Sequence, residues 1–148
     1  MSSPTRLTVS QHVAASAEDA YRIVVEIEQF PEFMENVKSV KILSAKGDRK
    51  VIAWEMMIDD APLEWTEEVC YDKDRFRVEF CATDGIFERF DGYWQVSPDT
   101  TGSRIDLDLE YEIGLPEIAH IISPILKDRL IMNLESMLIA IQNRASLR

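Results

Sequence analysis

Residues Pro116 to Arg144 read PEIAHIISPILKDRLIMNLESMLIAIQNR, and their apolar side chains recur at helical spacing. Ile118, Ile122, Leu126, Leu130, Leu134, Met137, Leu138 and Ile141 form one stripe, which Ile121, Ile125, Met132 and Ile139 widen. An ordinary surface helix needs less. A face this broad requires cover from the preceding chain, and the expected arrangement is a helix gripped by a curved sheet with space between them for a ligand. Ser123-Pro124 admits two forms of the helix. In one it starts at Pro124 with Ser123 as N-cap, leaving Pro116 to Ile122 as a flap where His120 meets an entering ligand. In the other it is continuous and kinked at Pro124.

The upstream chain supplies the cover. Arg6 to Val13 reads as a first strand, and Ser16 with Asp19 three residues on resembles a capping box. Ala20, Ile23, Val24 and Ile27 then predict a helix over Ala17 to Ile27, and Pro31 suits the first position of a short second helix. From Val37 the period changes to two. Strands are predicted at Val37 to Leu43, Lys50 to Ile58, Leu63 to Tyr71, Phe76 to Ala82, Phe87 to Val96 and Ile105 to Ile113, separated by turn residues such as Lys46-Gly47-Asp48 and Asp84-Gly85. The last is the clearest, with Ile105, Leu107, Leu109, Tyr111 and Ile113 alternating with Asp106, Asp108, Glu110 and Glu112. Short turns between successive strands imply an antiparallel sheet, so the fold class is α+β: about seven strands around a long C-terminal helix, with two short helices after strand one. Gly92, inside its strand, marks a bulge or a close approach of another group.

Composition narrows the function classes. The 148 residues are the size of one domain, expected to span 1–148, and 46% hydrophobic with 29% charged residues is a soluble globular composition. A net charge of -11 opposes a general grip on nucleic acid and adsorption to anionic membranes, and no apolar run is long enough to span a bilayer. MSSPTRLTVSQHV lacks an apolar signal core, so the expected location is cytoplasmic. Cys70 and Cys81, with two histidines, supply no metal-binding pattern, so neither a metal nor another cofactor is expected.

The element order, the FPEF segment, the block DGIFERFDGYWQVSP, the strand SRIDLDLEYEI and the terminal helix together resemble the START-like, polyketide cyclase and coenzyme-Q-binding superfamily, from about Leu7 to Arg144. The resemblance implies a helix-grip fold with a mainly apolar cavity between sheet and helix. Two branches fit. Aromatase/cyclases, which act on a poly-β-ketone held by an acyl carrier protein, are similar at Phe30-Pro31-Glu32, Leu63-Glu64-Trp65 and Gly92-Tyr93-Trp94. The cavity arginine that branch implies after Trp65 is absent from Thr66-Glu67-Glu68-Val69, and Asn36-Val37 replace its cavity tyrosine. The coenzyme-Q-binding branch, with its ribosome-association relatives, is similar at Asp84-Gly85-Ile86-Phe87 and Asn133-Leu134-Glu135-Ser136-Met137. Binding a lipophilic molecule (a quinone, a lipid or an aromatic polyketide) is therefore the expected function, with cyclase or dehydratase chemistry as the alternative. A ribosome-association role sits poorly with the acidic charge.

Glu67 is the first candidate for chemistry, because alternation puts a carboxylate on the face of Leu63, Trp65 and Val69, where desolvation makes it a candidate base or ligand contact. A bulge would instead send it to solvent. Arg129, a turn from Leu126 and Met132, is the second candidate, as an anchor for a carbonyl or carboxylate. Phe33, Met34, Trp54, Met56, Trp65, Phe80, Phe87, Phe90 and Trp94 are the expected ligand-binding residues from the sheet side. Leu109, Tyr111, Ile122, Leu126, Leu130 and Asn133 complete the predicted lining, Tyr111 and Asn133 as polar contacts. A filled core without a cavity is the competing reading of the same residues.

Overall fold

The computed structural model describes residues 4–58, 60–114 and 116–147, with the side chains of 116–123 outside the description. Strand β1 (Thr5–Val13) leads into helix α1 (Ala17–Val25), a 3-10 turn (Ile27–Gln29) and the short helix α2 (Phe30–Phe33). Strands β2 (Val37–Lys46), β3 (Arg49–Ile58), β4 (Ala61–Asp72), β5 (Arg77–Gly85), β6 (Phe87–Asp99) and β7 (Gly102–Ile113) follow, and helix α3 (Pro116–Ser146) closes the chain.

Each local element has an identifiable cause. The Ser16 hydroxyl accepts a hydrogen bond from the Asp19 amide at 3.1 Å and caps α1, the geometry anticipated from SAED. The helix ends at Val25, two residues earlier than the apolar pattern extends, and Ile27 enters the core from the 3-10 turn instead. Gly47, at φ +62°, makes the tight β2–β3 turn. Phe76, expected inside a strand, lies just before β5 with φ +54°, its ring 5.5 Å from that of Tyr21. Packing on α1 and the turn from β4 override the period-two pattern there.

The seven strands form one antiparallel sheet in the order β1-β7-β6-β5-β4-β3-β2. All but one of the neighbours are consecutive in sequence; β1 pairs with β7 from Thr5↔Tyr111 to Val13↔Ser103. The sheet wraps α3, which packs on β1, β7 and β3 and on α1. This is the helix-grip fold.

Helix α3 is continuous through Pro124, so the main helix does not begin there and Pro116 to Ile122 do not form a separate flap. Leu130, Leu134, Met137, Leu138, Ile141 and Ala145 are buried against the sheet. The apolar stripe is narrower than its composition implies: Ile125, Met132 and Ile139 are 63%, 59% and 49% exposed on the outer side. The far end of α3 is tied down by polar contacts, with Gln142 Oε1 accepting from the Ala14 amide at 2.8 Å and Arg144 donating to Gln29 Oε1 at 3.2 Å.

Gly92 pairs with Leu109 without a bulge, and the reason for glycine is proximity. A Cβ there would stand 1.9 Å from the Asp108 carbonyl oxygen and 2.7 Å from Leu109 Cα. Strands β6 and β7 close on one another only because this position has no side chain.

Candidate functional site

The space between sheet and α3 is small. A cavity of about 40 Å³ is bounded by the inner faces of β3 to β7 and by Leu130, Leu134 and Met137 of α3. Room of that size holds a few water molecules, whereas sites for drug-sized ligands measure about 300–1,000 Å³. The aromatic side chains expected to line a pocket largely fill it. Trp54 and Trp65, opposite one another on β3 and β4, stack with ring centroids 5.7 Å apart and planes 4° from parallel. Phe90 packs on Trp65 at 5.2 Å and Phe87 on Phe90 at 4.6 Å.

One carboxyl group faces this apolar space. Glu67 is 6% exposed and lines the cavity together with Trp54, Trp65 and Phe80. A register shift does occur in the β4–β5 pairing between Thr66 and Glu67, but Trp65 and Glu67 both stay on the buried side, so the irregularity does not expel the acid. The Trp65 indole N–H donates to Glu67 Oε1 at 2.8 Å. Burial pushes the carboxyl up to about 7, against the opposing pull of the Trp65 and Trp54 N–H groups. The indole N–H of Trp54 nonetheless completes no hydrogen bond and is fully buried. Trp54 therefore favours the charged carboxylate without satisfying its own donor. Among the described residues, the buried hydroxyls of Tyr71 and Tyr111 likewise complete no hydrogen bond. Burial raises the Tyr71 phenol well above the ordinary value, and the Glu67 charge adds to the rise.

The predicted residues divide into three groups. Trp54, Met56, Trp65, Phe80, Phe90 and Trp94 line the cavity from the sheet, joined by Leu109 of β7 and Leu130 of α3. Phe33, Met34, Phe87, Tyr111, Leu126 and Asn133 do not. Phe33 packs on Phe30 and beneath the Arg144 guanidinium, Met34 is buried in the core, Leu126 packs against the core's edge, and Phe87 and Tyr111 contact each other. Asn133 is engaged structurally: its Oδ1 accepts from Asn36 Nδ2 at 3.0 Å and its Nδ2 donates to the Arg129 carbonyl at 2.7 Å. Arg129 is exposed on α3, away from the cavity, and is not brought to Glu67. Ile122 and His120 fall outside the described side chains.

Leu63, Leu107, Leu134 and Met137 also line the cavity and are not among the ligand-binding residues expected from the sequence. Their signals were present, since Leu107 alternates with Leu109 and Leu134 lies one turn beyond Leu130.

A larger concavity lies elsewhere: an open cleft of about 1060 Å³ between α1 and the tips of the β2–β3 and β4–β5 hairpins. Charged side chains, including Glu28, Asp48, Asp74 and Lys73, alternate along its walls with Tyr21, Val25, Ile42 and Tyr71, and it is open to solvent rather than enclosed. Among the described residues no group of three His, Cys, Asp or Glu is placed to hold a metal ion. No described helix is long and apolar enough to cross a membrane.

Residues 13–138 match the family model described as polyketide cyclase / dehydrase and lipid transport. A comparison with curated proteins gives no match. Among solved structures, a protein from Thermus thermophilus superposes with a TM-score of 0.90 at 24% identity, over 97% of this chain and 98% of the other. The Zhui aromatase/cyclase from Streptomyces sp. R1128 gives 0.81 at 15% identity, over 97% and 93%. A START superfamily protein from Mycobacterium smegmatis gives 0.77 at 22% identity, over 97% of each chain.

Proposed function

The chain belongs to the polyketide cyclase / dehydrase and lipid transport family, and from that premise we propose that it binds a lipophilic small molecule between the sheet and α3, with Glu67 as the polar contact. The observation that carries this reading is the Glu67 carboxyl, held inside an aromatic and aliphatic cavity that no cation lines among the described residues. A buried carboxyl without a charge partner is costly to a fold that has no use for it. The 40 Å³ of free space means that binding requires α3 and the adaptable Met56 and Met137 side chains to move away from the sheet. The ligand classes that suit such a site are quinones, isoprenoids, lipids and aromatic polyketides.

The test is native mass spectrometry of protein purified from its host, followed by organic extraction, with thermal shift against a quinone and lipid panel. An extracted apolar molecule and a raised melting temperature are expected. Protein that carries nothing and melts unchanged with every member of the panel overturns the reading.

A second reading, aromatase/cyclase or dehydratase activity on a carrier-bound poly-β-ketone, is favoured by one feature. A carboxyl poised near 7 is matched to abstracting a proton at neutral pH, and orientation in a closed apolar space would supply the rest. Reconstitution with a minimal polyketide synthase and its acyl carrier protein tests it, and an unchanged product profile rules it out.

A further inference from the structure

We infer that the outer face of α3 is a self-association surface, on which a second copy of this chain docks its own α3 antiparallel about a two-fold axis at Met132. The inference is independent of the interior cavity and concerns the opposite side of the helix.

Both sides of α3 carry large apolar residues. Leu130, Leu134, Met137, Leu138 and Ile141 are buried on the sheet side, whereas Ile125, Met132 and Ile139 stand 63%, 59% and 49% exposed. Those three are seven residues apart, two turns of helix, so they fall in one line along the outer face. Asp128 and Arg129 occupy the gap before Met132, and Glu135 and Ser136 the gap after it, all of them exposed. A line of large apolar side chains on an open helix face leaves water only by meeting another surface.

The charges select the partner and its direction. Arg129 and Glu135 lie three residues to either side of Met132, and Ile125 and Ile139 lie seven to either side. A two-fold axis through Met132 therefore sets Arg129 opposite Glu135 of the second copy, and the reverse, while Ile125 meets Ile139 of the second copy and Met132 meets its own equivalent. Asp128 comes opposite the neutral Ser136. A parallel pairing in the same register would oppose Arg129 to Arg129, Glu135 to Glu135 and Asp128 to Asp128, like charges throughout. The stripe is complementary to itself in one direction only. A seam of one apolar residue in seven is thin and a net charge of -11 repels a second copy, so the contact belongs to the small, weak class of interfaces, with a dissociation constant on the order of 50 μM.

Sedimentation velocity on the full chain from about 2 to about 200 μM tests this, in about 150 mM salt, which confines the net-charge repulsion to a Debye length of about 8 Å. Monomer is expected at the low end and mostly dimer at the high end. Met132→Glu sets two carboxylates against each other on the axis and should leave monomer throughout, with thermal unfolding near that of wild type because the side chain is exposed. Arg129→Glu and Glu135→Arg should each weaken self-association about tenfold, since both ion pairs become like-charge contacts. An equimolar mixture of those two variants should recover the dimer, because each supplies the sign the other lacks. Wild-type protein that stays monomeric across the whole range overturns the proposal. Dimer that persists in Met132→Glu overturns it as well, since another surface then carries the contact. Charge variants that associate like wild type, or a mixture that recovers no dimer, overturn the antiparallel pairing.

Discussion

Asp108 on β7 and Glu67 on β4 are both carboxylic acids withdrawn from water, at 8% and 6% exposure, in opposite electrostatic settings. Asp108 accepts from Arg6 Nη2 at 2.8 Å, from Arg6 Nε at 3.2 Å and from the Thr8 hydroxyl at 3.0 Å, all supplied by the neighbouring strand β1. The Arg6 guanidinium holds its carboxyl below the ordinary aspartate value. Glu67 has one indole N–H and an apolar cavity in front of it that no described cation lines, and burial raises it to about 7. The first acid is a fastener between two strands, with three donors from β1 on its two oxygens. The second retains capacity, which is the property a ligand contact needs.

The comparison breaks most severely at Gly92 of β6, which pairs with Leu109 on β7 next to Asp108. Gly92→Ala places a methyl group against the Asp108 carbonyl at 1.9 Å, so β6 and β7 must separate. A loss above about 4 kcal/mol is expected, seen as a collapse of the urea midpoint or failure to fold. A variant with the wild-type midpoint would show that the β6–β7 contact yields freely.

Glu67→Gln probes the other acid without changing its shape. The folded-state value lies above the ordinary 4.5, so the folded protein binds the proton more tightly than the unfolded chain. The contribution of neutral Glu67 is full below 4.5 and is lost as pH rises towards and through about 7. The glutamine variant should therefore match wild type near pH 4.5 and exceed it at pH 8 by on the order of 3 kcal/mol, measured by denaturant unfolding across that range. Parallel pH profiles for the two proteins would mean that the carboxyl is solvated in the folded state.

The smallest effect is expected for Arg6→Ala, because the guanidinium is solvent-exposed. Asp108 is depressed, so its contribution is present above the ordinary 3.8 and disappears as pH falls through the lower folded-state value. Thermal unfolding should show a few degrees of loss at pH 7 that closes in stronger acid, a slope opposite in sign to that of Glu67. A loss independent of pH would assign Arg6 to packing alone.

Much of this arrangement was legible in the residue order. The alternation from Ile105 to Ile113 and the turn at Lys46-Gly47-Asp48 specify strands and their succession, because side-chain period and turn chemistry are local properties, whereas Asp84-Gly85, expected as a turn, end β5 in register with Thr66 and Trp65 of β4. Placing Glu67 on the face of Trp65 follows from the same period. Phe76 was misplaced because its backbone is set by the Tyr21 ring against which it packs, a contact 55 residues distant in the chain. Arg129 and Asn133 were read into the cavity because helical spacing alone assigns them near the stripe, whereas the angle at which α3 sits on the sheet turns Arg129 to solvent and Asn133 to Asn36. Ile125, Met132 and Ile139 were read as core for the same reason.

The segment from Pro116 to Arg144 illustrates the division. By itself the sequence determined that this stretch is an amphipathic helix needing apolar cover, and that the preceding strands form the antiparallel sheet to provide it. Only the tertiary structure decided how wide the buried stripe is, that the helix runs unbroken through Pro124, and that the aromatic side chains leave about 40 Å³ beside Glu67. Periodicity reports which face a side chain occupies. The volume left between two faces depends on how side chains from five strands and a helix interlock, and that mutual packing is a property of no single segment.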